Sequence, residues 1–461
     1  MTDSGIPVQR PPLRFVWCIV VLVAGLVVGC ERPFIEPRKP ELEVLSPDLS
    51  MVLPQREVLL EVRVTSQNGV DSVLLNGIPL LPETEEGVFS RPLKLNVGVT
   101  TLVVRAFDLT GVESLDTLYA VALPSEEKVG ELRLPEPRGG HTALRMADGR
   151  FMVAGGSESP TQPASKATWV YSGADLRSAP AEYFMLHRRT EHTATLLPDG
   201  RVLMLGGCEI TEPPTINELV EDVELFDPGS SAFVPVPVRG DPIRRCGHTT
   251  ILFQVGRQGS PDLFLYLYGG RGDVQYRPQP RMGIRSDIRV FQFRNDSLVA
   301  VGPTIGPNVD ALFDHTSTAI QTQIGNRGEY LVGGSIYSTD QTYDEILFQE
   351  VLTTTNGIRI ESTGSMHVHR SGHAAARMVE GEILIFGGRM FSLTSALRDN
   401  EVFYSQIRRF YPMSAERGLL QKRWGHTATN WDGTRILIVG GYGETGAALQ
   451  TSEWFEVDRS G

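Results

Sequence analysis

Six histidines recur along the chain: His141, His192, His248, His315, His373 and His426. Five have an arginine three residues earlier, at Arg138, Arg189, Arg245, Arg370 and Arg423, while His315 has Leu312 there. A guanidinium is a permanent cation whose planar fork can hold a carboxylate or phosphate by two parallel hydrogen bonds. The same arginines could instead bond carbonyls and carboxylates of the scaffold. The residue just before the histidine is Gly140, Gly247, Gly372 or Gly425 in four cases, but Glu191 and Asp314 in the other two. Carboxylates that break a repeat could accept sugar hydroxyls, do acid–base work if their pKa values differ, or simply be solvated. These seven residues are the ligand-binding candidates, and no catalytic residue is assigned. The histidines, spread one per repeat, diverge from any single metal and read as structural. His367 and His369 share a strand face but lack a third ligand. The tripeptide Arg271-Gly272-Asp273 lies in a turn-rich loop and carries no weight. No Ser/His/Asp set, phosphate loop or cysteine-rich zinc pattern occurs.

Each histidine opens a longer repeat. The segments PRGGHTALRMADGRFMVAGG (137–156) and RRTEHTATLLPDGRVLMLGG (188–207) show it best, and HRSGHAAARMVEGEILIFGG (369–388) and KRWGHTATNWDGTRILIVGG (422–441) follow the same plan. Residues 244–270 and 312–334 are looser copies. The double glycines begin at 155, 206, 269, 333, 387 and 440, so the period runs from 51 to 64 residues. His-Thr-Ala, or a close variant of it, begins a strand, and a pair such as Asp148-Gly149 or Asp199-Gly200 makes a two-residue turn. An apolar run follows that suits a strand buried on both faces. Glycines then take φ > 0 or admit a close backbone. Two outer strands complete each unit.

This pattern resembles the kelch repeat of galactose-oxidase-like propellers. The resemblance implies an all-β fold with a six-bladed propeller over residues 129–461. The last blade lacks an outer strand, which Gly130–Leu134 is expected to supply. The arginine-bearing links and the long loops 208–222 (acidic) and 271–287 (basic) map to one face. Cys208 and Cys246 fall on that face at adjacent blades, so a disulfide is expected. The copper site of such relatives needs two histidines and a tyrosine joined to a cysteine, a set not assembled here. No metal or cofactor is expected.

Residues 41–123 alternate apolar and polar in short runs, with Asn76-Gly77 as a hairpin signal. They resemble bacterial immunoglobulin-like modules and are expected to form a β-sandwich stalk. Residues 15–28 are an apolar run too short to span a bilayer comfortably, followed by Gly29-Cys30. That resembles a lipoprotein signal: residues 1–29 removed, Cys30 lipidated, and residues 30–40 a Pro-rich tether. Outer-membrane or cell-surface localisation follows as an expectation.

The net charge of -12 disfavours nucleic acid as a partner. The expected function is a non-enzymatic platform that binds protein or glycan and meets the membrane only through its lipid. The alternative is an envelope carbohydrate-active enzyme, of sialic-acid mutarotase type, with its site at the channel mouth.

Overall fold

The computed structural model describes residues 38–172, 176–210, 217–255, 262–274, 281–285, 287–301, 312–319, 327–336, 349–354, 357–362, 365–390 and 393–460. The signal segment, Cys30 and most of the tether lie outside them. Among the described residues the chain is all-β, with one 3-10 turn at Ala415–Arg417, and no helix is long and apolar enough to cross a membrane.

The N-terminal region holds two four-stranded sheets. One contains Glu41–Ser46, Glu57–Thr65, Val88–Lys94 and Leu81–Pro82; the other contains Ile78–Pro79, Val70–Leu75, Gly98–Asp108 and Glu113–Ala122. Side chains two apart point to one face. Leu60, Val62 and Val64 therefore meet Val73, Leu75, Leu102 and Val104 in one core. Asn76 and Gly77 both take positive φ, 48° and 81°, as a two-residue hairpin of this twist requires.

Among the described residues six larger sheets follow, each built around a four-stranded antiparallel meander, beside a two-stranded and a three-stranded one. The first runs Thr142–Arg145, Phe151–Ala154, Ala167–Tyr171, Ala181–Phe184 in hydrogen-bonded order. The third gains Val238–Arg239, paired parallel with Ser297–Ala300. The sixth is completed by Ser125–Arg133, which pairs along Thr451–Val457 from Thr451↔Arg133 to Val457↔Ser125. The strand expected at Gly130–Leu134 is thus the end of a longer one that begins before residue 129. It covers an edge that would otherwise be open to pairing. Second strands such as Phe151–Ala154, Val202–Leu205 and Glu382–Phe386 are buried at every position, because neighbouring sheets pack on both faces.

The turns between first and second strands differ from expectation. Met146 N donates to Arg150 O (2.7 Å) and Gly149 N to Met146 O (3.0 Å), so three residues form the loop. Only Gly149 needs positive φ, and the Asp148 carboxylate accepts from Arg150 N instead of sitting in the left-handed region.

The sheets stay separate, and their first strands lie side by side around a circle in which Thr427–Asn430 lies against Thr142–Arg145. Backbone hydrogen bonds close that circle. Glu191 N donates to Gly140 O (2.8 Å), Gly247 N to Glu191 O (2.9 Å) and Asp314 N to Gly247 O (3.0 Å). Gly372 N then donates to Asp314 O (2.8 Å), Gly425 N to Gly372 O (2.7 Å) and Gly140 N to Gly425 O (2.8 Å). The N-terminal region is fused to the fifth and sixth sheets: Val52, Val121 and Leu123 share a core with Phe386, Tyr411, Met413 and Phe455.

Candidate functional site

The double glycines exist because two histidines crowd them. A Cβ on Gly155 would sit 2.5 Å from Arg189 O and 2.8 Å from the next sheet's His192 Cε1. One on Gly156 would sit 2.7 Å from Gly139 O and 2.9 Å from His141 Cβ. The histidine rings bond the neighbouring sheet's threonine. Thr142 Oγ1 lies 3.0 Å from His192 Nε2, and Thr249 and Thr316 repeat the contact with His315 and His373. Burial, with the nearby Arg138 charge, pushes His141 down to about 3, and burial with Arg189 does the same to His192. The rings are neutral parts of the scaffold.

The link arginines belong to the scaffold too, which corrects their candidacy as anion-capturing groups. Arg189, Arg245, Arg370 and Arg423 are among the largest fully buried side chains. Arg189 donates to Gly206 O (2.7 Å), Asp222 O (2.6 Å) and Glu224 Oε1 (2.7 Å), all within its own sheet. Glu224 is completed by Leu186 N (2.6 Å) and His187 N (3.0 Å). Arg370 with Glu401 and Arg423 with Glu453 repeat the arrangement, and Arg245 pairs with Asp287 at 3.0 Å. In the first sheet Trp169 holds the register position of Glu224, and the Arg138 guanidinium lies 5.1 Å over its ring. Arg138 pairs instead with Glu136. With every fork occupied and burial near complete, none of the five reaches the mouth of the circle.

Glu191 and Asp314 do reach it. All six residues preceding the histidines take left-handed φ, from 48° at Asp314 to 65° at Gly140, which explains glycine in four of them. Glu191, at φ 54°, and Asp314 carry side chains there at a cost of order 1–3 kcal/mol. Backbone strain of this kind concentrates at functional sites.

Each carboxylate meets an arginine that the sequence reading had not made a candidate. Arg271 Nη2 donates to Glu191 Oε2, and Arg389 Nη2 donates to Asp314 Oδ2 (3.1 Å). Both arginines directly follow a double glycine. That place is Ser157, Cys208, Ser335 and Tyr442 in the other sheets, so a scan for charge after Gly-Gly would have found them. Backbone bridges tie this position to the residue two before the histidine, as in Cys246↔Arg271, Ser371↔Arg389 and Trp424↔Tyr442. The Arg389 guanidinium lies 4.3 Å over Trp424, whose ring is 4.6 Å from that of Tyr442. Tyr442 Oη donates to Gly139 O (2.9 Å) and meets Ser157 Oγ (2.6 Å).

Glu191, Asp314, Trp424 and Tyr442, with the six repeat histidines, line a cavity of about 130 Å³ at the centre of the circle; Arg271 and Arg389 are not part of its lining. Two ion pairs stand on the side of the second to fifth sheets; Trp424 and Tyr442 form the aromatic side. Removal from bulk water pushes the Glu191 carboxyl above its ordinary value; Arg271 opposes this and the Asp314 charge adds to it. Cys208 and Cys246 form a disulfide with Cα atoms 5.6 Å apart. It links the backbone beside Thr190 to that beside Arg271, because Thr190↔Cys208 and Cys246↔Arg271 are bridge partners. Glu191 and the two sulfurs lie within 4.8 Å of one another, but the sulfurs bond each other and offer no metal ligand. His367 Nδ1 faces Glu401 (3.3 Å), away from this centre.

No family model and no curated protein matches the chain. A solved structure does: the structure of YjhT covers 70% of this chain and 96% of its own, with 14% sequence identity and a TM-score of 0.53. The shared feature is the fold. It is a β-propeller, and the cavity lined by Glu191 and Asp314 lies at the centre of its ring of first strands.

Proposed function

We propose that this chain is a surface lipoprotein whose six-bladed, kelch-type propeller, carried on an immunoglobulin-like module, binds a small acidic sugar at the channel mouth. The observation that carries this is the pair of carboxylates, Glu191 and Asp314, set on left-handed backbone in the wall of one cavity and each paired with a guanidinium, Arg271 and Arg389. A sugar acid presents a carboxylate to the guanidinium groups, hydroxyls to the carboxylates and a ring face to the aromatic side. The cavity is concave and smaller than the ~300–1,000 Å³ usual for ligand pockets, which suits one sugar unit better than a protein surface. The protein-binding platform loses its main support, because the arginines meant to form it are buried. Anchoring through Cys30 at the outer membrane or cell surface remains part of the proposal on the sequence pattern.

A second reading, an envelope enzyme of mutarotase type, is favoured by one observation. The Glu191 carboxyl is pushed up beside a fixed cation, as an acid–base group needs.

Ligand-observed NMR with N-acetylneuraminate, glucuronate and glucose tests both. The acids should bind and glucose should not, and Arg271→Ala with Arg389→Ala should weaken binding by at least about tenfold. Failure of both acids, or equal binding by the double variant, would remove the proposal. The enzyme reading requires that the protein speed anomer exchange and that Glu191→Gln abolish the acceleration.

A further inference from the structure

A second cavity lies far from the mouth, where the N-terminal sheets meet the fifth propeller sheet. It is an open cleft of about 440 Å³, within the ~300–1,000 Å³ range of ligand pockets. Its walls are Tyr119 and Thr117 on one side and Arg408, Arg409 and Phe410 on the other, with Ser50 at the rim. Junctions between modules are a common place for such sites. This one is preformed. Val52 N donates to Pro412 O (3.0 Å), and Val52 and Val121 share a buried core with Tyr411 and Met413 beside it.

Two features set the cleft apart from ordinary surface. The first is charge: adjacent guanidinium groups stand here on a chain of net charge -12. The Arg409 guanidinium lies 5.7 Å over the Tyr119 ring, an arrangement that holds it beside an aromatic face. The second is backbone. Arg408 takes φ 51°, in the left-handed region that favours Gly, Asn and Asp. The same place in the second sheet's hairpin is Ser231, at φ 54°. The left-handed turn position is thus shared between the sheets, and what is particular here is the long cationic side chain it carries.

We infer that this cleft binds a short segment of an acidic polysaccharide. The guanidinium groups would meet its carboxylates or sulfates, and the aromatic walls its ring faces. The cleft is over three times the size of the mouth cavity, so it takes more than one sugar unit. The site is independent of the mouth and does not require the function proposed there.

Isothermal titration of the full chain with a galacturonate tetramer and a heparin tetrasaccharide, with maltotetraose as the neutral control, tests this. At least one acidic probe should bind, more weakly as salt rises, and maltotetraose should not. Arg408→Gly with Arg409→Ala should reduce affinity at least about tenfold. The melting temperature and far-UV circular dichroism of the same variant, measured alongside, separate lost binding from lost folding. Arg271→Ala with Arg389→Ala should leave tetrasaccharide binding intact. The inference is overturned if neither acidic probe binds at millimolar concentration, if the Arg408/Arg409 variant binds like the wild type, or if the mouth variant is the one that loses binding.

Discussion

Two sets of arginines ring the propeller axis and do opposite work. The link set repeats with the scaffold: Arg189 and Arg423 have fully buried side chains, each locked to a carboxylate and to carbonyls of its own sheet. The second set occurs twice only, and the side chains of Arg271 and Arg389 keep 26% and 16% of their surface exposed, each paired with one carboxylate that lines the central cavity. A repeated position reports what every sheet needs in order to pack. A position that breaks the repeat while paying in backbone strain reports what the whole molecule does.

The largest effect should come from the link set. Arg189→Ala leaves the fully buried Glu224 without its cation, and should cost about 3–5 kcal/mol in denaturant unfolding. Arg271→Ala, at a part-exposed pair, should cost at most about 1 kcal/mol of stability. If the two variants exchanged these effects, the division between scaffold and site would be wrong.

Next in size is the disulfide. Replacing Cys208 and Cys246 by serine should remove about 2–4 kcal/mol of stability, because the bond closes a 38-residue separation. It should also weaken acidic-sugar binding, since the bridge fixes the strands that carry Glu191 and Arg271. Unchanged binding would show that the mouth is held by the ring hydrogen bonds alone.

The pH dependence sharpens the contrast further. Glu191 is raised by burial, so its neutral form is favoured in the folded protein. Its contribution to stability is present below the ordinary carboxyl value and is lost as pH rises through the folded one. Protonation also removes the charge that Arg271 pairs with. Binding of a sugar acid should therefore strengthen as pH falls through the Glu191 transition, until the sugar's own carboxylate protonates. Glu191→Gln should flatten that profile, whereas Glu224→Gln should lower stability without reshaping it.

The smallest effect lies in the histidine circle. Ala374 stands where Thr142, Thr249 and Thr316 supply a hydroxyl to the next histidine, leaving His426 Nε2 unbonded. Ala374→Thr should restore the contact and raise stability by about 1 kcal/mol, measured by thermal melting.

Much of the architecture was legible in the residues. The Asn76-Gly77 turn, the apolar second strands and the recurring Gly-Gly are local signals, since each depends on backbone conformation or periodicity over a few positions. The candidate site was half legible. Glu191 and Asp314 stood out because a carboxylate in a glycine position is visible in a repeat alignment. Arg271 and Arg389 were visible only as charges after Gly-Gly, and that place gains its meaning from partners 80 and 75 residues away.

The sequence by itself determined the all-β class, the six repeats and the positions at which the repeat is broken, because strand period, turn chemistry and glycine's φ > 0 are properties of short segments. Only the tertiary structure decided which arginines are buried in the scaffold and which pair with the carboxylates of the central cavity. Burial and pairing are set by side chains from distant segments, and a guanidinium three residues before a histidine looks the same whether its fork faces a channel or a buried glutamate.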